Sequence, residues 1–218
     1  MKYFKLFIFF FLVGLVASLT YFIFARNKNQ AINIHSPISS TPNFNFSIGQ
    51  PPKDSVKGII ASMSGNIMWQ SRLATEPAQI AKPQTIQQGE SLVTGDTGNV
   101  SLSFPNFANL TIFPKSELNI IQTLPINFVF EQTTGSVTYE ETGSTPVSIR
   151  TLNLITKLDS AGALTVIIDK DKGRVTATEK AGSATVAYND LQFVSQVVAL
   201  KAGQVLVFDE ATRTTSVK

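Results

Sequence analysis

From Val56 onward, apolar residues recur at every second position, and no long stretch follows the 3.6-residue spacing of a helix. Val100, Leu102 and Phe104 alternate with Ser101 and Ser103, and Leu110 and Ile112 alternate with Asn109 and Thr111. The same alternation marks Val137/Tyr139, Val147/Ile149, Leu164/Val166/Ile168, Val175/Ala177 and Val205/Val207. Each reads as a half-buried strand, because successive side chains of a strand leave opposite faces. Turn signals separate these segments at Ser64-Gly65-Asn66, Gly95-Asp96, Thr134-Gly135, Ser160 to Gly162, Asp169 to Gly173, Lys180 to Gly182 and Ala202-Gly203. The one weakly helical window, Arg72 to Ala81, contains Pro77, which has no amide hydrogen to donate, and reads as loop. The pattern predicts an all-β fold: one antiparallel domain, sandwich or solenoid-like, of about a dozen short strands.

Ahead of this domain the pattern changes twice. Leu6 to Ala25 is a run of 20 residues without a charge. As a helix it spans roughly 30 Å, the thickness of a bilayer's hydrocarbon core. A cleaved secretory signal has a shorter apolar core of about 7–15 residues, so an uncleaved anchor is the expectation. A short tail followed by a long C-terminal portion fits a single-pass, N-in topology, with the domain outside the cytoplasm, periplasmic or extracellular. Residues 26–55 are rich in Asn and Ser and hold Pro37, Pro42, Pro51 and Pro52. This composition reads as a linker, reaching on the order of 30 Å as a flexible coil. The expected organisation is a cytoplasmic tail at 1–5, a transmembrane helix at 6–25, a linker at 26–55, a β domain at 56–209 and a C-terminal tail at 210–218.

Charge sharpens this picture. The net charge of +3 comes from Lys2, Lys5, Arg26 and Lys28; beyond residue 28 there are 14 basic and 15 acidic residues, a balance of −1. The domain therefore has no basic surplus for phosphates, and nucleic acid is not an expected partner. With no cysteine in the chain, disulfides, thiolate metal sites and a cysteine nucleophile are excluded. The single histidine, His35, falls in the linker, so the domain cannot assemble a Ser-His-Asp triad.

The candidate chemistry that remains is sparse. Gly95-Asp96 and Gly98-Asn99 suit a hairpin turn, with Gly95 at a positive φ; a phosphate cradle would run into a helix, whereas a strand follows here. Gly89, Gly135, Gly173 and Gly203 read likewise as structural turn residues. Asp169 to Gly173 begins like a calcium loop, but its glycine comes one place early and Lys180 stands at the twelfth position, so a hairpin turn is expected. Glu140 and Glu141 are adjacent in a strand and face opposite sides, so they cannot work as a glycosidase pair. Trp69 and Phe107 are the candidate ligand contacts. No catalytic residue, metal ligand or cofactor is expected.

The succession QQGESLVTGDTGNVSLSF followed by NLTIFPKSELNI resembles the FecR domain family on Gly89, Leu92, Thr94, Gly95, Asp96 and Gly98, then Pro114, Ser116 and Leu118. Gly135-Ser136-Val137, Gly173-Arg174-Val175 and Leu200 to Gly203 extend the resemblance over about Lys57 to Asp209. It departs where the family's Asp-Gly-Ser between two strands is replaced by Pro105 to Asn109. Sigma-regulating members act through a cytoplasmic segment, for which this sequence has Met1 to Lys5, and some end in an α/β module, whereas little follows Asp209. The resemblance implies a non-enzymatic, membrane-anchored, extracytoplasmic protein-interaction or scaffolding domain in envelope signalling, with an envelope protein or polymer as partner. The other open reading is a carbohydrate- or envelope-polymer-binding module, for which an exposed aromatic cluster around Trp69 or Phe107 would be diagnostic.

Overall fold

The computed structural model describes residues 49–159 and 161–218. The anchor segment 6–25, His35 and most of the linker lie outside the described residues. Seventeen strands follow in chain order: β1 Gly58–Ser64, β2 Ile67–Gln70, β3 Ala78–Gln79, β4 Thr85–Ile86, β5 Ser91–Thr94, β6 Asn99–Phe104, β7 Ala108–Ile112, β8 Glu117–Leu124, β9 Asn127–Glu141, β10 Val147–Thr151, β11 Leu154–Leu158, β12 Ala163–Asp169, β13 Arg174–Ala181, β14 Ser183–Asn189, β15 Ser195–Lys201, β16 Val205–Asp209 and β17 Thr214–Val217. No helix occurs among the described residues. The count exceeds the expected dozen because short pairings such as β3 and β4 carry no alternation to read. Residues 210–218, set apart as a tail, contain β17, which pairs with β16 from Leu206↔Val217 to Asp209↔Thr214.

The pairings arrange these strands in two layers. One runs β4-β1-β6-β7-β9-β12-β13-β16-β17 and the other β3-β2-β5-β8-β9-β10-β11-β14-β15. β9 belongs to both: its first half pairs with β8 and β10, its second half with β7 and β12. The turn signal at Thr134-Gly135 therefore marks a bend inside one 15-residue strand, where it passes from layer to layer. The sheet is mixed, not antiparallel throughout, because β10 pairs in parallel with β9 from Val147↔Phe128 to Arg150↔Glu131. Between those two segments the chain completes one full coil around the core, and a coil returns to its own layer in its original direction.

The alternation places the core between the layers. Leu102 and Phe104, Leu110 and Ile112, Val137 and Tyr139, and Leu164 and Val166 are all buried. Aromatic contacts cross the interior: Phe104 lies 5.4 Å from Phe128 and 5.5 Å from Phe130, and Tyr188 lies 5.4 Å from Phe208. Edge-to-face and tilted ring pairs of this kind add about 0.5–1.5 kcal/mol each beyond their burial. In β16 the phase differs from the expectation: Leu206 and Phe208 are buried, while Val205 and Val207 face outward. An all-apolar run has no polar partner position to reveal its phase. The buried Gln132 amide donates to the carbonyls of Gly135 (2.9 Å) and Val166 (3.2 Å) and accepts from the Tyr139 hydroxyl at 3.1 Å. It satisfies the Gly135 carbonyl and the Tyr139 hydroxyl at the bend in β9; burial pushes the Tyr139 hydroxyl well above its ordinary pKa.

Candidate functional site

Strand directions gather the chain's passages between layers at the two ends of the domain. At one end meet residues 64–67, 95–98, 113–116 and 134–136, which contain Gly95, Asp96, Gly98, Pro114, Ser116 and Gly135 of the sequence resemblance. Asp96 and Gly95 do not sit in a hairpin, because β5 pairs with β2 and β8 whereas β6 pairs with β1 and β7. The turn, closed by Gly98 N–H donating to the Gly95 carbonyl at 3.0 Å, carries the chain across the core. The expected positive φ at Gly95 is not found; Gly89, Gly135, Gly173 and Gly203 have it, at 85°, 78°, 56° and 86°. Gly98 is required for a different reason, since a Cβ there would stand 2.5 Å from the Asn66 carbonyl oxygen.

Two buried hydroxyls lock this end. Thr94 Oγ1 donates to the Phe113 carbonyl at 2.6 Å and accepts from Ser116 N–H at 2.9 Å. Ser116 Oγ donates to the Ser136 carbonyl at 2.9 Å and accepts from Ser136 N–H at 2.8 Å. Asp96 points outward and pairs with Lys115 at 3.4 Å, both side chains largely exposed. The motif is thus a knot that satisfies backbone groups where strands change layer; Thr94 and Ser116 have each committed their one proton to a backbone carbonyl and are buried away from solvent.

The two aromatic candidates lie apart and are each engaged with the domain. Trp69 Nε1 donates to Glu90 Oε2 at 3.1 Å, and the same oxygen accepts from Gln87 N–H at 2.8 Å. Arg72 reaches over Gly89 and donates to the Gln88 carbonyl at 2.9 Å, forming one wall of a shallow cleft with Glu90 and Asn119. Phe107 stacks on Phe128 with ring centroids 5.0 Å apart. Neither residue belongs to an exposed aromatic cluster. Glu140 is exposed and Glu141 buried, on opposite faces of β9. The turn after Asp169 joins β12 to β13, and Asp169 accepts from the Lys172 N–H and ammonium, which hold its carboxyl below the ordinary value.

The other end, built from Asp159 and residues 161–162, 181–183 and 202–204, is carboxylate-rich. Glu179 is fully buried: Oε1 accepts from Ala163 N–H at 3.1 Å, while Oε2 has no partner among the described residues. Desolvation, with a smaller contribution from the nearby Asp159 charge, pushes its pKa from 4.5 up to about 7, against the hydrogen bonds it accepts. Glu141 is raised by the same causes and drawn back by Lys157. Asp159 is tied to Ser183 and Lys157. Among the described residues no group of three Asp, Glu or His side chains is arranged to hold a metal ion. Glu179 was legible in outline, since it continues the buried alternation of Val175 and Ala177; its environment was not.

A third region has unspent surface. β15 and β17 are the outermost strands of the two layers on the same flank; across it the Tyr188 hydroxyl of β14 lies 3.1 Å from the Thr215 hydroxyl of β17, and Arg213, ahead of β17, lies over Phe193, ahead of β15. Phe193 is 78% exposed, Val197 66% and Val217 40%, with Leu191 and Val194 also exposed beside them. The opposite flank ends in β3 and β4, of two residues each. The sequence SQVVALK conceals this edge, because its apolar run Val197 to Leu200 reads as an ordinary strand and carries no signal of which neighbour is missing.

No protein-family model matches this chain, and comparison with curated protein sequences gives no match. Two crystal structures of a protein described as a "putative anti-sigma factor" from Parabacteroides distasonis ATCC 8503 share its fold, each with a TM-score of 0.50 and 11% sequence identity. The similarity covers 59% of this chain and 58% of that one, so it spans less than two thirds of either.

Proposed function

We propose that this chain is a membrane-anchored, extracytoplasmic domain of the FecR type that works by protein–protein contact in envelope signalling, without enzymatic chemistry. The observation that carries the reading is the β15/β17 flank. Long unpaired edges template pairing with another chain, and native domains normally blunt them by short strands, charge or covering. Among the described residues one flank is blunted by two-residue strands while the other keeps a seven-residue edge that carries exposed Val197 and follows exposed Phe193. The fold shared with the Parabacteroides protein supports a signalling role, and the apolar run Leu6 to Ala25 supports the anchor. Among the described residues the two aromatic candidates give the polymer-binding alternative no platform, since Trp69 and Phe107 are held by Glu90 and Phe128.

The test places a photo-crosslinking residue at Val197 of the full chain in intact envelopes. Discrete protein adducts at Val197, and none at Ala78 on the blunted flank, are expected. Adducts confined to envelope polymer, or no adduct at Val197, overturn the reading.

A further inference from the structure

We infer that the β15/β17 flank pairs with the same flank of a second copy of this chain, about a twofold axis normal to the two layers; this rests on the interaction reading of that flank given above. Because both edge strands lie on one side of the domain, such an axis sets β15 antiparallel to the other copy's β15 and β17 antiparallel to its β17. Both layers then continue across the junction, and the open backbone groups of both edges are satisfied in one event. The two-residue strands of the opposite flank cannot do this.

Area and charge favour a copy of the same chain. The exposed apolar side chains divide between faces: Val197 looks outward from its layer, Val217, opposite buried Leu206, looks toward the space between the layers, and Leu191, Phe193 and Val194 precede β15. Counted from both copies with the backbones of the paired edges, they reach on the order of 1,000 Å², the lower bound for a specific interface. Asp190 stands at the entry to β15, its carboxylate accepting from Val194 N–H and the Gln196 amide at 2.9 Å, and Lys201 ends the strand. No charge lies between them. Antiparallel pairing brings each Lys201 to the other copy's Asp190 end, whereas parallel pairing would set like charge against like.

The chain's lack of cysteine makes the test direct. Val197→Cys, Ala199→Cys and, on the blunted flank, Ala78→Cys are made singly in the full chain in its membrane and treated with a flexible bis-maleimide, because no single antiparallel register brings both 197 and 199 within disulfide reach of their own copies. Crosslinked dimer is expected at the two β15 positions at least about tenfold above the Ala78 position. Adding Val197→Lys to Ala199→Cys should lower its dimer by a similar factor, and because Val197 faces outward the fold should keep its Trp69 fluorescence. Equal dimer at all three positions, or none at β15, overturns the pairing. If the Val197 photo-adduct is then a different protein, the interaction reading stands and only the identity of the partner falls; if there is no protein adduct either, both fall.

Discussion

The two ends of the domain do the same topological work with different chemistry. At the end holding Gly95, Ser116 and Gly135, strands change layer around neutral hydroxyls, each of which both donates and accepts at 2.6–2.9 Å. At the end holding Asp159, Gly162 and Gly182, the equivalent passages surround carboxylates, and Glu179 and Glu141 each keep an oxygen without a partner among the described residues. A hydroxyl carries its own proton and supplies whichever role the backbone lacks, so its bonds persist across the pH range. A carboxylate can only accept when ionised, and burial then disfavours its charge. One end is therefore a fixed lock and the other is sensitive to protons.

Substitutions at the hydroxyl end should be the most damaging and independent of pH. Gly135→Val combines a left-handed backbone with a Cβ driven into Ser116 and the Lys115 carbonyl. It should cost about 4 kcal/mol, the sum of backbone strain and overpacking, read as a fall in the urea midpoint followed by Trp69 fluorescence. Ser116→Ala leaves the half-buried Ser136 N–H without its partner and leaves the Ser136 carbonyl only the Phe113 N–H at 3.0 Å, and should cost about 2 kcal/mol, by the same amount at acid and neutral pH. A cost that changed with pH would erase the distinction between the ends.

The carboxylate end should show the opposite behaviour. Glu179 has a folded pKa of about 7 against an ordinary value of 4.5, so between those values the folded chain binds more protons than the unfolded one. Stability from this group is present at the acid side and is lost as pH rises through 7. Glu179→Gln should be near neutral at about pH 5 and stabilising by about 1 kcal/mol at about pH 8, allowing for solvent screening. Thermal melts of both proteins across that range check it; parallel melting curves would show that Glu179 does not titrate there. The smallest effect returns to the first end: Asp96→Ala removes only the exposed pair with Lys115 and should change stability by less than about 0.5 kcal/mol. Loss of partner binding by that variant with the fold intact would instead make Asp96 a contact residue. Within the same turn, Gly98→Ala should be worse than Gly95→Ala, since only the former meets a backbone oxygen at 2.5 Å.

The all-β class, the inward residues of β6, β7, β10, β12 and β13, and the turn at Asp169 to Gly173 were determined by the sequence itself. Each depends on a strand's two-residue period and on the local conformational freedom of glycine and Asp. The same local signals could not distinguish a turn that reverses within a layer from one that crosses between layers. Gly95-Asp96 and Asp169 to Gly173 look alike in sequence, yet the first crosses and the second forms a hairpin, because the choice belongs to which distant strands claim the flanking backbone. For the same reason tertiary structure alone decided that Gly135 bends a continuous strand, that Thr94 and Ser116 form a lock and that Glu179 lies in a low-dielectric interior. It also left β15 and β17 as edges on a single flank: alternation specifies which side of a strand is buried, but hydrogen bonding in the sheet plane, perpendicular to that side, decides which strand has no neighbour.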